Sequence, residues 1–266
     1  MSFSAEWLTL REPFDMRARN TEVLDAVAAA FQGKQGLSIV DLGSGTGSTL
    51  RALSPRLPKS QRWTLVDNDP VLLAEAHALT ATAGIEVETT QFDLTNDVGP
   101  LFDGADLITA SALIDLVSEP WLANMAAAAA ARSIPVYIAL TYDGRVAFGK
   151  GDLFDARMIA AVNKHQRTDK GFGPALGPRA ASAAKRIFKS LGYAFKEGKS
   201  DWRTAGGDTK FQLELIEGWY TAAREMEAMS DEGMDAFYIH HTRMAEAGMQ
   251  TIDVGHVDFF AQPGKR

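Results

Sequence analysis

Short apolar runs bounded by Gly, Asp and Pro recur along the chain from residue 37: LSIVDLG, RWTLVDN, IEVETTQFD, ADLITAS and IPVYIALTYD. Each has strand length, and most are rich in Val, Ile, Thr or Leu, side chains that fit a pleated, buried surface. Between them lie Ala- and Leu-rich stretches with helical spacing of the apolar positions, at 48–57, 70–82 and 119–132. Strand alternating with helix predicts a mostly parallel sheet covered on both faces, because parallel neighbours need a crossover between them. The start of the second helix is marked in the sequence. Asp67, Asn68 and Asp69 supply capping oxygens and negative charge just before Pro70, a residue suited to a first helical turn. The alanines from Ala126 to Ala131 continue a pattern begun by Trp121 and Met125, and Ala is the best helix former, so the run reads as a packed helix.

After the fifth strand the regularity changes. A helical stretch from Leu153 to Val162 is followed by NKHQRTDKGFGPALGP, too rich in Gly and Pro for one helix. A helix at 180–191, a strand at about 193–203 and a last strand at 251–261 follow, with apparent helix between those strands and no internal repeat. With 266 residues, 46% of them hydrophobic, the chain has the material for one sizeable α/β domain with insertions, and two independent domains would be a tight fit. The expectation is a doubly wound, mostly parallel seven-stranded α/β sheet with helices on both faces. Residues 1–30 are expected to form an N-terminal helical cap, and 144–180 and 208–248 substrate-cap insertions over the carboxyl edge of the sheet that select the acceptor.

Charge and cysteine content narrow the function. The 27 basic and 34 acidic residues leave a formal charge of −7, so attraction to a phosphate backbone would have to come from a local patch against the overall field. A nucleic-acid partner is therefore disfavoured. The absence of Cys removes disulfides, thiolate metal sites and thiolate nucleophiles. The opening MSFSAEWLTLREPFD is interrupted by charges, unlike a signal peptide, and no segment approaches the ~20 apolar residues needed to span a bilayer. A cytoplasmic protein without membrane contact is expected.

The strongest chemical signal is IVDLGSGTG at 39–47, a buried strand ending in three alternate glycines that run into a helix near Ser48. Such a turn lets backbone approach a nucleotide-sized ligand closely. Its spacing departs from the dinucleotide fingerprint G-x-G-x-x-G, since Ser48 and Leu50 stand where a third glycine would fall, and the phosphate-binding G-x-x-x-x-G-K-[ST] is absent. The pattern D-x-G-x-G-x-G resembles the first motif of class I methyltransferases dependent on S-adenosylmethionine (AdoMet), and the resemblance continues over residues 37–143. It implies a cofactor cradle of Asp41, Gly43, Ser44, Gly45 and Gly47. It also implies that Asp67, with Asn68 beside it, holds the ribose hydroxyls, where a carboxylate makes charge-assisted hydrogen bonds. Asp93 and the backbone of Leu94 would meet the adenine, Ala110 and Ser111 would lie beside the cofactor, and Asp115 would stand near the transferred methyl.

The acceptor is less legible. Methyl transfer from a sulfonium is an in-line displacement, so an enzyme mainly aligns the nucleophile and excludes water, and a base is needed only if the acceptor must lose a proton. The [DN]-P-P-[YF] motif of amino-directed nucleic-acid methyltransferases is missing, with Ser111-Ala112-Leu113-Ile114 in its place. The passage Asn163 to Gly173 gathers His165, Arg167, Lys170 and Phe172, a mixture suited to an acidic or oxygen-rich small molecule. His165 is the candidate general base, with Arg167, Lys170 and Trp202 as substrate contacts, Tyr220 as a further aromatic wall, and Tyr142-Asp143 and Asp115 facing the acceptor. His240, His241 and His256 read as structural or surface residues. The N-terminal helix would bring Arg17 or Arg19 to the methionine carboxylate. No cluster compels a metal. The leading expectation is methylation of O, N or C on a small molecule. Two alternatives stay open: a tRNA or protein methyltransferase, and a catalytically silent AdoMet-binding protein.

Overall fold

In the computed structural model, which describes residues 4–79, 85–227 and 230–264, the N-terminal segment forms two helices, α1 (Ala5–Ala18) and α2 (Thr21–Ala30). Each begins at a capping side chain: Ser4 accepts from the Trp7 N–H, and Asn20 from the Val23 N–H. The apolar runs then become strands β1 (Leu37–Leu42), β2 (Gln61–Asp67), β3 (Ile85–Gln91), β4 (Leu107–Ser111) and β5 (Val136–Phe148). All neighbouring pairs among these five are parallel, in the order β3-β2-β1-β4-β5.

The crossovers are α3 (Ser48–Leu53), α4 (Pro70–Leu79) and α5 (Glu119–Ala131). The first is shorter than expected, because Pro55 interrupts it and residues 54–56 tighten into a 3₁₀ turn. The expected end of the second, at 80–82, lies outside the described residues, as do residues 1–3 and 228–229 of the expected caps. Beyond β5 come α6 (Asp155–His165), α7 (Ala180–Ser190), β6 (Tyr193–Lys199), β7 (Trp202–Arg203), α8 (Thr209–Glu225), α9 (Asp231–Glu246) and β8 (Ile252–Pro263). β8 inserts antiparallel between β5 and β6, and β7 pairs with it farther along.

The sheet thus has eight strands where seven were expected, because the run 193–203 is split at Ser200-Asp201. At the split the Asp201 carboxylate accepts the His256 backbone N–H at 3.2 Å and a guanidinium hydrogen of Arg145 at 2.7 Å. A side chain there takes a backbone donor that a continuous ladder would have used.

Two cores cover the two faces of the sheet. One packs α5 and α7 through Leu122, Met125, Ala184 and Phe188 against Val40, Ile108 and Phe259. The other packs α2, α3 and α4 through Val23, Leu50, Leu53 and Leu73 against Ile39, Trp63, Leu65 and Tyr137. A third core explains the insertions. β5 runs on to Phe148, past the expected end at 143, and pairs there with Val254 to Ile252 of β8. α1, α6, α8 and α9 pack on that extension through Phe14, Met158, Phe211 and Phe237. Within it His241 is fully buried between the carboxylate of Asp155, at 2.7 Å, and Gln250, at 2.6 Å, which ties α9 to α6 as a structural residue.

Candidate cofactor and acceptor site

The carboxyl ends of β1, β2 and β4 open onto a cavity of about 320 Å³, where open parallel sheets bind ligands and within the size range of small-molecule sites. Its floor is the glycine turn. Gly43 and Gly45 have φ of 63° and 52°, the left-handed region, and a Cβ on Gly45 would stand 3.0 Å from Leu8 Cδ1. The turn is therefore held from above by α1 as well as from below by the sheet. Glu12 of α1 accepts two bonds from the Arg51 guanidinium of α3, at 2.6 and 2.7 Å, and Arg51 also donates to the Thr46 carbonyl at 2.6 Å.

Asp67 and Asn68 stand at one side of the cavity. Asp67 Oδ2 accepts from the Gly45 N–H at 2.9 Å and Oδ1 from the Asp69 N–H at 3.1 Å, so the carboxylate is oriented while each oxygen keeps a free lone pair. Asp93, Leu94 and Thr95 form the next wall. The backbone N–H and hydroxyl of Thr95 both donate to Asp93 and hold its carboxyl below the usual carboxylate range. Ser111 also lines the cavity, followed by Ala112, whose φ of 49° is strained for a residue with a Cβ.

Other residues of the expected cradle lie just behind it. Ala110 is buried within β4, and Gly47, at φ 82°, starts α3. Asp41 is fully buried and accepts from the Thr109 hydroxyl at 2.7 Å through Oδ1, while Oδ2 has no partner. Burial pushes its carboxyl up to about 6, against the opposing pull of Thr109 and Arg19. Arg19, expected at the methionine carboxylate, is buried outside the cavity lining. It donates to Tyr137 at 3.3 Å and points its second terminal nitrogen at the hydroxyls of Ser111 and Thr49, 3.4 and 3.5 Å away. It therefore sits behind two hydroxyls that do face the cavity. Arg17 lies over the Phe14 ring.

The cationic residue that lines the cavity from α1 is Arg11, with Asp15. Arg11 Nε donates to Asp15 Oδ2 at 2.9 Å, Trp202 Nε1 donates to Asp15 Oδ1 at 2.8 Å, and the guanidinium lies 5.6 Å from the Trp202 ring. Trp202 itself is buried, a wall behind this pair, and its ring centroid is 4.5 Å from that of His256. Burial, helped by Arg11, drives His256 down to about 3, so its ring is neutral. Tyr142 donates to Asn163 at 2.8 Å and packs edge-on against His256. Asp115 is buried, with no partner for Oδ1, and burial lifts its carboxyl to about 6 although Arg11 opposes the shift. Neither Arg11 nor Asp15 was singled out in the sequence as a pocket residue. The signal was there: Arg11, Asp15 and Arg19 recur every four residues on one face of a helix otherwise flanked by apolar side chains.

From the loop after α6, Lys170, Gly171 and Phe172 reach the cavity. His165 does not. Its ring bonds Glu225 of α8 at 2.9 Å and lies 3.3 Å from the Lys170 ammonium, so it stands behind Lys170. Arg167 is exposed and outside the lining, and Tyr220 bonds Asp235 at 2.9 Å within the helical insertion. Among the described residues no group of His, Asp and Glu could hold a metal ion.

A sheet ordered β3-β2-β1-β4-β5 and closed by an antiparallel strand, with a glycine turn after β1 and an oriented carboxylate after β2, defines a class I methyltransferase fold with its cofactor pocket. Residues 39–133 match the family model described as methyltransferase domain. Solved structures share the fold along nearly the whole chain at low identity. A cyclopropane synthase, MmaA2, from Mycobacterium tuberculosis is 12% identical, with a TM-score of 0.53 over 98% of this chain and 94% of its own. A cyclopropane-fatty-acyl-phospholipid synthase-like protein from Lactobacillus casei is 16% identical, with a TM-score of 0.52 over 95% and 98%. The YcgJ protein from Bacillus subtilis is 13% identical, with a TM-score of 0.50 over 93% and 100%. No curated protein matches the chain in sequence.

Proposed function

We propose that this methyltransferase acts on a small-molecule acceptor, admitted at the α1 end of the cavity. The observation that carries the reading is the roof: Leu8, Arg11 and Asp15 of α1 and the Lys170–Phe172 tip close over a cavity of about 320 Å³, a space suited to a cofactor and a small partner. A macromolecular substrate would call for an open basic trough, and the formal charge of −7 works against a polyanion.

The residues fit AdoMet. Asp67, oriented by two backbone donors, suits a pair of vicinal hydroxyls, and the unpartnered, buried hydroxyl of Ser44 sits in the glycine turn beneath the same space. When bound, AdoMet supplies a methyl group on a positively charged sulfur. The chain's part is to fix the acceptor in line and keep water out. Arg11, which lines the cavity with its Nε donating to Asp15, serves to position an oxygen-bearing acceptor. Asp115, whose carboxyl lies at about 6, is buried outside the cavity lining beside Leu113 and Leu116, which do line it, and serves to hold that wall rather than to meet the acceptor. His165, bound to Glu225 behind Lys170, is left a supporting role. Among the described residues no helix is long and apolar enough to cross a membrane, and with a chain free of Cys this favours a cytoplasmic location.

The test is transfer of a labelled methyl group from AdoMet into a cell extract divided by size. Label appearing in the low-mass fraction, and reduced with Arg11→Ala, is the expected result. Label appearing only in RNA or protein would contradict a small acceptor.

A further inference from the structure

We propose that the loop 166–177 covers the adenine end of the bound cofactor, with Phe172 packing on the base, so that this insertion selects cofactor rather than acceptor. The inference rests on the reading that the Asp93-Leu94 wall receives adenine.

Three observations place the loop there. Lys170, Gly171 and Phe172 line the same cavity as Asp93, Leu94 and Thr95. Phe172 meets the Trp121 ring edge-on, with centroids 5.7 Å apart, and Trp121 Nε1 donates to the Leu94 carbonyl at 2.6 Å. That chain of contacts puts Phe172 at the Leu94 wall.

The loop is also built to hold this tip. Asp169 Oδ1 accepts from the N–H groups of Gly171 and Gly173, at 2.7 and 3.0 Å, and both glycines have positive φ, 103° and 83°. A Cβ at either position would strain a turn whose shape the Asp169 carboxylate dictates. Downstream, the Leu176 and Gly177 N–H groups donate to the carbonyls of Val117 and Asp115, each at 2.8 Å, which anchors the loop to the segment between β4 and α5. Upstream, Lys170 is backed by His165, itself held by Glu225. Between these anchors Phe172 stays half-buried, packed against the core while also lining the cavity. A half-buried aromatic ring in the wall of a nucleoside site suits stacking on a purine, which needs no hydrogen bond.

The experiment is calorimetric titration of the full chain and its Phe172 variants with S-adenosylhomocysteine and with 5′-methylthioadenosine, which lacks the amino-acid end. Phe172→Ala should weaken both ligands by the same factor, roughly 5- to 150-fold, the range of base stacking lost on truncation. Phe172→Trp should bind both at near the wild-type level, and Phe172→Leu, which keeps apolar bulk and protects folding if the alanine variant is unstable, should still bind both weakly. Unchanged affinity in the alanine and leucine variants would overturn the proposal, as would weaker S-adenosylhomocysteine with unchanged 5′-methylthioadenosine. Failure of the wild-type chain to bind either ligand would instead defeat the adenine reading of the Asp93-Leu94 wall.

Discussion

Asp67, which lines the cavity, and Asp115, buried outside its lining, show how the same side chain takes opposite parts. Asp67 has an N–H donor on each oxygen, which fixes its direction. Asp67→Ala should weaken S-adenosylhomocysteine by about 1.5–3 kcal/mol, the scale of hydrogen bonds to a charged group, with the fold intact by circular dichroism. An unchanged dissociation constant would mean that another group holds the ribose. Asp115 has an orphaned oxygen in a buried setting, and its carboxyl rises from 3.8 to about 6. A raised carboxyl favours the protonated folded form. Its contribution is thus complete below pH 3.8 and declines as pH climbs towards 6, by about 3 kcal/mol for a shift of roughly two units. Asp115→Asn removes that decline, so urea unfolding should find the variant more stable than the parent at neutral pH, with the gain vanishing near pH 4. Asp41 has the same sign and will leave a residual slope in the variant. A variant less stable than the parent at neutral pH would show that the charged Asp115 is satisfied in a way the structure does not place.

Among the elements, α1 governs access. Its pairing through Glu12 with Arg51 fastens the roof of the cavity to the helix that follows the glycine turn, and both partners are about three-quarters buried. Arg51→Ala should speed hydrogen exchange in residues 5–18 while leaving β1 to β5 unchanged, and weaken S-adenosylhomocysteine several-fold. Exchange in α1 that ignores the substitution would mean the helix is held by its Trp7 and Phe14 packing alone. Much at this scale was legible in the sequence. Strands β1 to β5 carry their own apolar runs, and the turn at 43–47 and Asp67 belong to contiguous motifs, so local pattern sufficed. What escaped depends on partners distant in the chain. Arg11 reaches the cavity because Asp15 is held by Trp202, 187 residues away, and the strand at 193–203 breaks because Asp201 engages His256 and Arg145. His165 looked like a free base in a polar loop, and only the position of α8 gives it Glu225.

For the molecule as a whole, the structure divides labour between the parallel sheet whose strand ends open onto the cavity and a third core built on the extended ends of β5 and β8. The family match covers 39–133, whereas the fold likeness reaches along 98% of the chain at 12% identity. The cavity should take an adenosyl sulfonium ligand and not a dinucleotide. The turn supports this, because the third glycine, which the dinucleotide fingerprint uses to pack its helix closely on the strand, is replaced by Ser48 or Leu50. The most direct measurement is calorimetric titration of the purified chain, in one buffer, with AdoMet, S-adenosylhomocysteine and NAD. Saturable one-to-one binding of the first two, with NAD at least tenfold weaker, is the predicted result; NAD binding as tightly as AdoMet or more so would contradict it.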